Sequence, residues 1–206
     1  MNRRIASKNI ANFVMANAVA SVLGGVSACS ESKPQFKAID VTGADFAKDF
    51  VLTDHNGQTR TMADFKGKIV VIFFGYTQCP DVCPTSMTEL AEVKKLLGSD
   101  GDKLQGLFVT VDPERDTAEM LKAYMGNFDP TFLALRAESA KLEPIAKHFK
   151  IYYKKVEGKT PTSYTMDHSA GSYVYDPQGR VRLFTRYGSG AAALASDIAL
   201  LLKSGG

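Results

Sequence analysis

The sequence predicts an α/β fold, a mixed sheet flanked by helices. Three observations carry that prediction. "KIVVIFF" (68–74) and "LQGLFVTV" (104–111) are unbroken apolar, β-branched runs, the pattern of central strands buried on both faces. A helical segment follows each; in the first, Met87, Leu90, Val93 and Leu97 recur at three- and four-residue steps. Strands and helices alternate through the middle of the chain, and a hairpin and a final helix close it. This order is compatible with a thioredoxin-like fold that carries a strand insertion.

Residues 1–28 have the order of a secretory signal. A basic start, "MNRRIASKN", precedes the apolar "IANFVMANAVASVLGG", and the small residues "VSA" stand directly before Cys29. Asn12 and Asn17 interrupt the apolar stretch, so it is a weak membrane span, which needs about 20 mostly apolar residues. An uncleaved anchor and a plain export signal are the alternatives. The "VSAC" segment resembles a bacterial lipobox and favours a lipoprotein-type signal. Cys29 then becomes the lipidated first residue, and the lipid holds the domain to a membrane of the bacterial cell envelope, facing the periplasm. Unprotected thiols tend to oxidise in such a compartment.

Residues 29–46 are polar, with Pro34 and Gly43, and read as a flexible tether. The domain then runs from 47 to 206. "FVLTDHNGQTRTM" (50–62) has Asn56-Gly57 between two short extended runs, an additional N-terminal hairpin. The strand at 68–74 leads into "GYTQCPDVCPTS" and then the helical "TSMTELAEVKKLL". After the strand at 104–111, "DTAEMLKAYMGNF" is a helix with acidic residues in its first turn, which suits the dipole there. "FLAL" (132–135) is a short strand, and "ESAKLEPIAKHFK" a helix interrupted near Pro144. "GSYVYDPQGRVRLFTRYG" holds two strands around the turn "DPQG", and "AAALASDIALLLKS" is the closing helix.

Of the 206 residues, 45% are hydrophobic and 23% charged, an ordinary globular composition able to bury a core without disulfides. The net charge of +3 belongs to the leader: Arg3, Arg4 and Lys8 lie there with no acid, and the rest holds 22 basic and 22 acidic residues. That balance argues against a nucleic-acid partner. No Gly-rich phosphate loop is present.

Cys79 and Cys83 lie between a buried strand and a helix, where reactive groups collect in α/β sheets. A helix start also favours a thiolate. Residues four apart on a helical turn have Cβ atoms about 5–6 Å apart, so the two sulfurs can share a metal or close a disulfide. With Cys29 lipidated, neither has another cysteine in the domain to pair with. Two thiolates favour Cu(I) or zinc. Zinc wants four ligands, whereas copper manages with fewer.

The domain has three histidines. His55 sits in the hairpin turn and His148 among helix-surface lysines; both read as solvated. His168, in "YTMDHSAGSYVYD", falls in a loop before a strand, where a thioredoxin-like sheet faces its active-site cysteines. The alternatives for His168 are a capping or packing histidine and a third donor; topology and the ligand count favour the donor. Asp167 is placed either to orient its ring or to cap the turn. "DPERD" (112–116) reads as a partner-docking segment or as a turn with helix-capping acids. Tyr152, Tyr153, Tyr173, Tyr175 and Tyr187 read as packing residues.

"GYTQCPDVCPTSM", "VTVDPERDT" and "DHSAGSYVYDPQG", in that order, resemble the Sco/SenC family over residues 50–203. The resemblance implies a thioredoxin-like copper-binding protein that assists assembly of the binuclear copper site of cytochrome c oxidase. It implies Cys79, Cys83 and His168 as ligands of Cu(I) or Cu(II), and Asp81 and Asp167 as residues near the site. Its partners would be the copper-bearing oxidase subunit or other copper and thiol carrier proteins. The competing expectation is an enzyme, a thiol–disulfide oxidoreductase that cycles a Cys79–Cys83 disulfide. A peroxiredoxin-like peroxidase is a weaker variant, since a peroxidatic cysteine does not need a partner four residues away.

Overall fold

A computed structural model describes residues 34–160 and 163–204. The leader and Cys29 lie outside the described residues. The first elements are β1 (Ile39–Asp40), the hairpin β2 (Leu52–Asp54) and β3 (Thr59–Arg60), β4 (Ile69–Gly75) and α1 (Val82–Leu96). Then come β5 (Leu104–Thr110), α2 (Ala118–Gly126), β6 (Leu133–Arg136) and α3 (Ser139–His148). The last are β7 (Tyr153–Val156), β8 (Thr165–His168), β9 (Ser172–Tyr175), β10 (Val181–Thr185) and α4 (Ala191–Ser204).

Eight strands form one mixed sheet in the order β1-β10-β9-β4-β5-β6-β2-β3. Every residue of β4 and β5 is buried, which is why both are apolar throughout rather than alternating. They pair in parallel from Ile69↔Leu104 to Gly75↔Thr110. Antiparallel β9 borders β4 and parallel β6 borders β5. The core gathers on this centre: Phe73, Phe74, Phe108, Phe132 and Phe149 are among its largest fully buried side chains. Each such burial stabilises by roughly 1.5–3 kcal/mol.

The expected hairpin forms and extends the sheet beyond β6. Gly57 sits at φ +81°, a conformation that favours glycine. The buried Asp54 carboxylate ties the turn by accepting from the Asn56 and Gln58 N–H groups and from Arg60 Nε.

Three expectations need correction. The described part of the stretch read as a flexible tether is built into the domain. β1 pairs with β10, and the Lys37 and Ala38 N–H groups donate to the buried Asp197 carboxylate on α4, 2.9 and 2.8 Å away. The polar composition of that stretch hid a strand whose partner lies far along the chain. The helix around Pro144 is not interrupted: α3 runs through it. And His168 does not lie in a loop. It ends β8, which pairs with β7 in a separate two-stranded ribbon. Among the tyrosines, Tyr173 and Tyr175 are buried and donate their hydroxyls to the Phe149 and Ala47 carbonyls, whereas Tyr152 and Tyr187 are exposed.

Candidate metal centre

The site forms where β4 leaves the sheet. Gly75 is the last residue of β4, and its lack of a side chain is a packing requirement. A Cβ there would stand 2.8 Å from Cys83 Sγ and within 3 Å of the Phe73 and Phe108 rings. Cys83 is the second residue of α1 and is fully buried in that space. Cys79, in the loop before the helix, is half-buried. α1 has no acidic residue in its first turn and no side-chain cap from Asp81 at its N-cap. The Cys83 N–H instead donates to Cys79 Sγ at 3.5 Å, so a sulfur takes the place of the usual oxygen cap.

Burial pushes the Cys83 thiol well above its ordinary pKa, and the Tyr76 backbone offsets this only in part. The expected thiolate-favouring effect of a helix start is overridden at this cysteine, because the sulfur lies inside the core rather than at the helix mouth. Both cysteines are free thiols.

His168 approaches from the ribbon. Its Nε2 lies 3.3 Å from Cys83 Sγ, and its Nδ1 lies 2.9 Å from the Ser169 carbonyl oxygen. A carbonyl only accepts, so Nδ1 carries the proton and Nε2 presents its lone pair to the thiols. Phe73 and Tyr76 meet the ring edge to face, each with centroids 5.9 Å away. Burial lowers the imidazole pKa, against the opposing pull of the Ser169 carbonyl and the Asp167 charge, and so favours the neutral ring. Ligand atoms of Cys79, Cys83 and His168 all lie within 4.8 Å of one another, the one such metal-capable group found among the described residues.

The expected neighbours fare differently. The ring is oriented by the Ser169 backbone, not by Asp167, whose side chain is exposed and acts on His168 only through its charge. Asp81 is exposed and contributes its backbone carbonyl to Thr85 N. His55 and His148 stay out of the site. His55 Nδ1 accepts from Ala134 N and pins the hairpin to β6, and His148 Nε2 accepts from Lys48 N. Neither is merely solvated.

"DPERD" supplies what the sequence reading missed. Asp112 and Asp116 are buried, so these two acids do not face a partner, and Thr117 rather than an acid caps α2. Asp116 accepts from Thr77 N, Thr77 Oγ1 and Thr110 Oγ1, which holds the start of the cysteine loop against β5. Asp112 accepts from the Tyr164 hydroxyl and from Arg115. Thr77 and Tyr164 are 39 and 52 residues from their carboxylates, so no local pattern flags them.

The chain resembles known proteins over most of its length. The SCO1/SenC family model matches residues 40–203. A SCO2-like protein of Rickettsia felis is 35% identical over 133 residues, which are 64% of this chain and 65% of that protein. The mitochondrial SCO2 homolog of Bos taurus is 37% identical over 145 residues, 69% of this chain. The match spans only 53% of the bovine protein's length. Among solved structures, copper-bound ScoI of Bradyrhizobium japonicum is 42% identical with a TM-score of 0.68, covering 75% of this chain and 98% of that one. Copper-bound yeast Sco1 is 31% identical with a TM-score of 0.69, covering 76% of this chain and 87% of the yeast chain. The matched segment contains every strand from β2 to β10 together with Cys79, Cys83 and His168, and the chain belongs to the SCO1/SenC family.

Proposed function

We propose that the protein is a copper metallochaperone of the bacterial cell envelope. It takes one copper at Cys79, Cys83 and His168 and delivers it to the copper-bearing subunit of cytochrome c oxidase. The observation that carries this reading is the convergence of two sulfurs and one imidazole nitrogen within 4.8 Å. Two thiolates suit Cu(I), and the imidazole suits Cu(II). A structural zinc site would want a fourth ligand, which the cluster does not supply. The copper carried by the Bradyrhizobium and yeast relatives supports the choice of metal. The oxidase role rests on the family resemblance of the three motifs.

Physical chemistry agrees. The buried Cys83 thiol resists ionisation because the charge would be desolvated. A bound cation supplies the compensating charge and takes the proton's place, so metal loading releases protons. The Nδ1–H tautomer leaves Nε2 free to bind. Cys79 and His168 are half-buried while Cys83 is sealed, so an acceptor's ligands can replace the outer donors first.

The unequal burial of the two cysteines also favours a second reading, thiol–disulfide exchange. Cys79 thiolate attacks a partner disulfide and releases one partner thiolate. Cys83 thiolate then attacks Cys79 sulfur, which releases the second and leaves a Cys79–Cys83 disulfide. That second step needs Cys83 ionised without a cation beside it, which its burial opposes. The copper reading is preferred because it uses all three converging groups, whereas exchange leaves His168 without a required part.

Cys29, outside the described residues, is proposed as the lipidated start of a mature chain of 178 residues. No helix among the described residues is long and apolar enough to cross a membrane. Intact mass of the membrane fraction, and release of a Cys29→Ser variant, test the anchor. Copper titration of the reduced domain tests the site: one copper per chain is expected, and none after mild oxidation joins Cys79 to Cys83. Undiminished binding by the oxidised protein sinks the thiolate assignment.

A further inference from the structure

β7 and β8 pair only with each other among the described strands, so backbone hydrogen bonds of the main sheet do not place the ribbon that carries His168. Side chains must. Arg115, in the segment after β5, spans the gap. Its Nη1 donates to Gln78 Oε1 at 3.1 Å and to the Tyr164 carbonyl oxygen at 2.9 Å. Gln78 is the residue before Cys79, and Tyr164 is the residue before β8. One nitrogen thus joins the cysteine loop to the histidine ribbon.

The arrangement is fixed from several sides. Arg115 Nε donates to the Asp112 carboxylate, and the Tyr164 hydroxyl donates to the other Asp112 oxygen at 2.8 Å. The guanidinium lies 3.5 Å from the centroid of the Tyr164 ring and 5.8 Å from that of Tyr76, which itself meets His168 edge to face. Asp112 is buried and its N–H donates to Thr110 Oγ1 at the end of β5, so the clasp is anchored on the central sheet. A planar fork that stacks on an aromatic ring and bonds three acceptors is a task for arginine; lysine offers a point charge.

We propose that Arg115 is a positioning residue for the metal centre, a clasp that sets how far His168 stands from Cys79 and Cys83. With the clasp closed, the imidazole belongs to the ligand shell. With it cut, the thiol pair keeps its place, because Asp116 and the core hold it independently. Arg115 then governs the imidazole-dependent Cu(II) state far more than the thiolate-bound Cu(I) state. The proposal rests on the copper-site reading above.

The test compares the parent domain with Arg115→Met, Arg115→Lys, His168→Ala and the double variant Arg115→Met/His168→Ala. Arg115→Met should weaken Cu(II) about 10–100-fold, the range found when an outer partner of a ligand is removed. It should move the nitrogen coupling in electron paramagnetic resonance toward that of His168→Ala and keep one Cu(I) per chain. In the metal-free protein, amide exchange should quicken in β7 and β8 and stay unchanged in β4 and α1. Arg115→Lys should not restore the parent spectrum. In the His168→Ala background, Arg115→Met should cost no further Cu(II) affinity. A parent-like Cu(II) spectrum in Arg115→Met or Arg115→Lys, or an undiminished further loss in the double variant, overturns the clasp while leaving the copper reading intact. If His168→Ala itself leaves the Cu(II) spectrum unchanged, the copper-site reading falls, and the proposal with it. Should Arg115→Met fail to fold, Tyr164→Leu removes the stacked ring and the hydroxyl bond to Asp112 while leaving the carbonyl contact; it should shift the Cu(II) spectrum in the same direction, and a parent-like spectrum overturns the clasp.

Discussion

The cysteine loop and the histidine ribbon meet at one point but are held there by different means. The loop leaves β4, a strand buried at every position, and its inner cysteine lies under Gly75 between Phe73 and Phe108. The Asp116 carboxylate holds Thr77 from beneath. The ribbon has two four-residue strands, and of those eight residues only Met166 is buried. Its attachments to the rest of the domain are mostly polar side-chain contacts: the Arg115 bridge, the Tyr164 hydroxyl on Asp112, the Lys155–Glu114 ion pair and the His168 approach to Cys83. Local opening is easiest where buried apolar contacts are few. Two donors are therefore preorganised by the core, and the third sits on the part of the molecule most able to move. Under the copper-delivery reading proposed above, that inequality lets the site bind the metal and also release it.

Variants that strike the core-held donors should have the largest effect. Cys79→Ala and Cys83→Ala should each abolish stoichiometric Cu(I) binding in a chelator-competition titration; parent-like binding by either would remove the loop from the site. Next in size is Gly75→Ala. The added Cβ meets Cys83 Sγ and two rings, and overpacking of this kind costs about 1–3 kcal/mol. On the ribbon, Val156→Ala at a position 38% exposed should change stability by no more than about 0.5 kcal/mol. Urea unfolding compares the two, and equal effects would erase the contrast between the regions.

His168→Ala should change Cu(II) spectra by loss of a nitrogen donor while Cu(I) binding persists on two thiolates. His55→Ala and His148→Ala should bind like the parent, since those rings bond backbone amides elsewhere. A spectrum altered by either, with His168→Ala silent, would reassign the third donor.

The smallest expected effect is a pH dependence in the loop's support. Burial raises the Asp116 pKa, against hydrogen bonds from Thr110 and Thr77, and the nearby Asp112 charge adds to the rise. A carboxyl whose folded pKa is raised binds its proton more tightly when folded. Its contribution to stability therefore grows as pH falls through the folded value and levels off below the ordinary value of 3.8. Asp116→Asn lacks that gain. The stability difference, parent minus variant, should widen in the parent's favour on acidification from neutral pH toward 3.8; a difference that narrows instead contradicts the buried-carboxylate account.

What the sequence determined by itself was whatever short-range sterics and burial dictate. β4 and β5 were legible because a strand covered on both faces has no polar alternation to display. The helix after the cysteines was legible from its period and the hairpin from Asn56-Gly57; the closeness of the two thiols was legible from their spacing, although Cys79 lies in the loop before α1 rather than on its first turn. Tertiary structure decided the rest, because polar partners are chosen by sheet geometry across long stretches of chain. His168 meets Cys83 across 85 residues, from a strand whose pairing with β7 no local pattern announced. The Lys37 and Ala38 amides find Asp197 across 160 and 159 residues, which made the described part of an expected tether a part of the fold. Asp112 and Asp116 look like surface acids in "DPERD", and only the closing of β5 against the cysteine loop and the ribbon buries them. A buried charge needs nearby donors, and Thr77, Thr110, Tyr164 and Arg115 become those donors only when three separate segments meet.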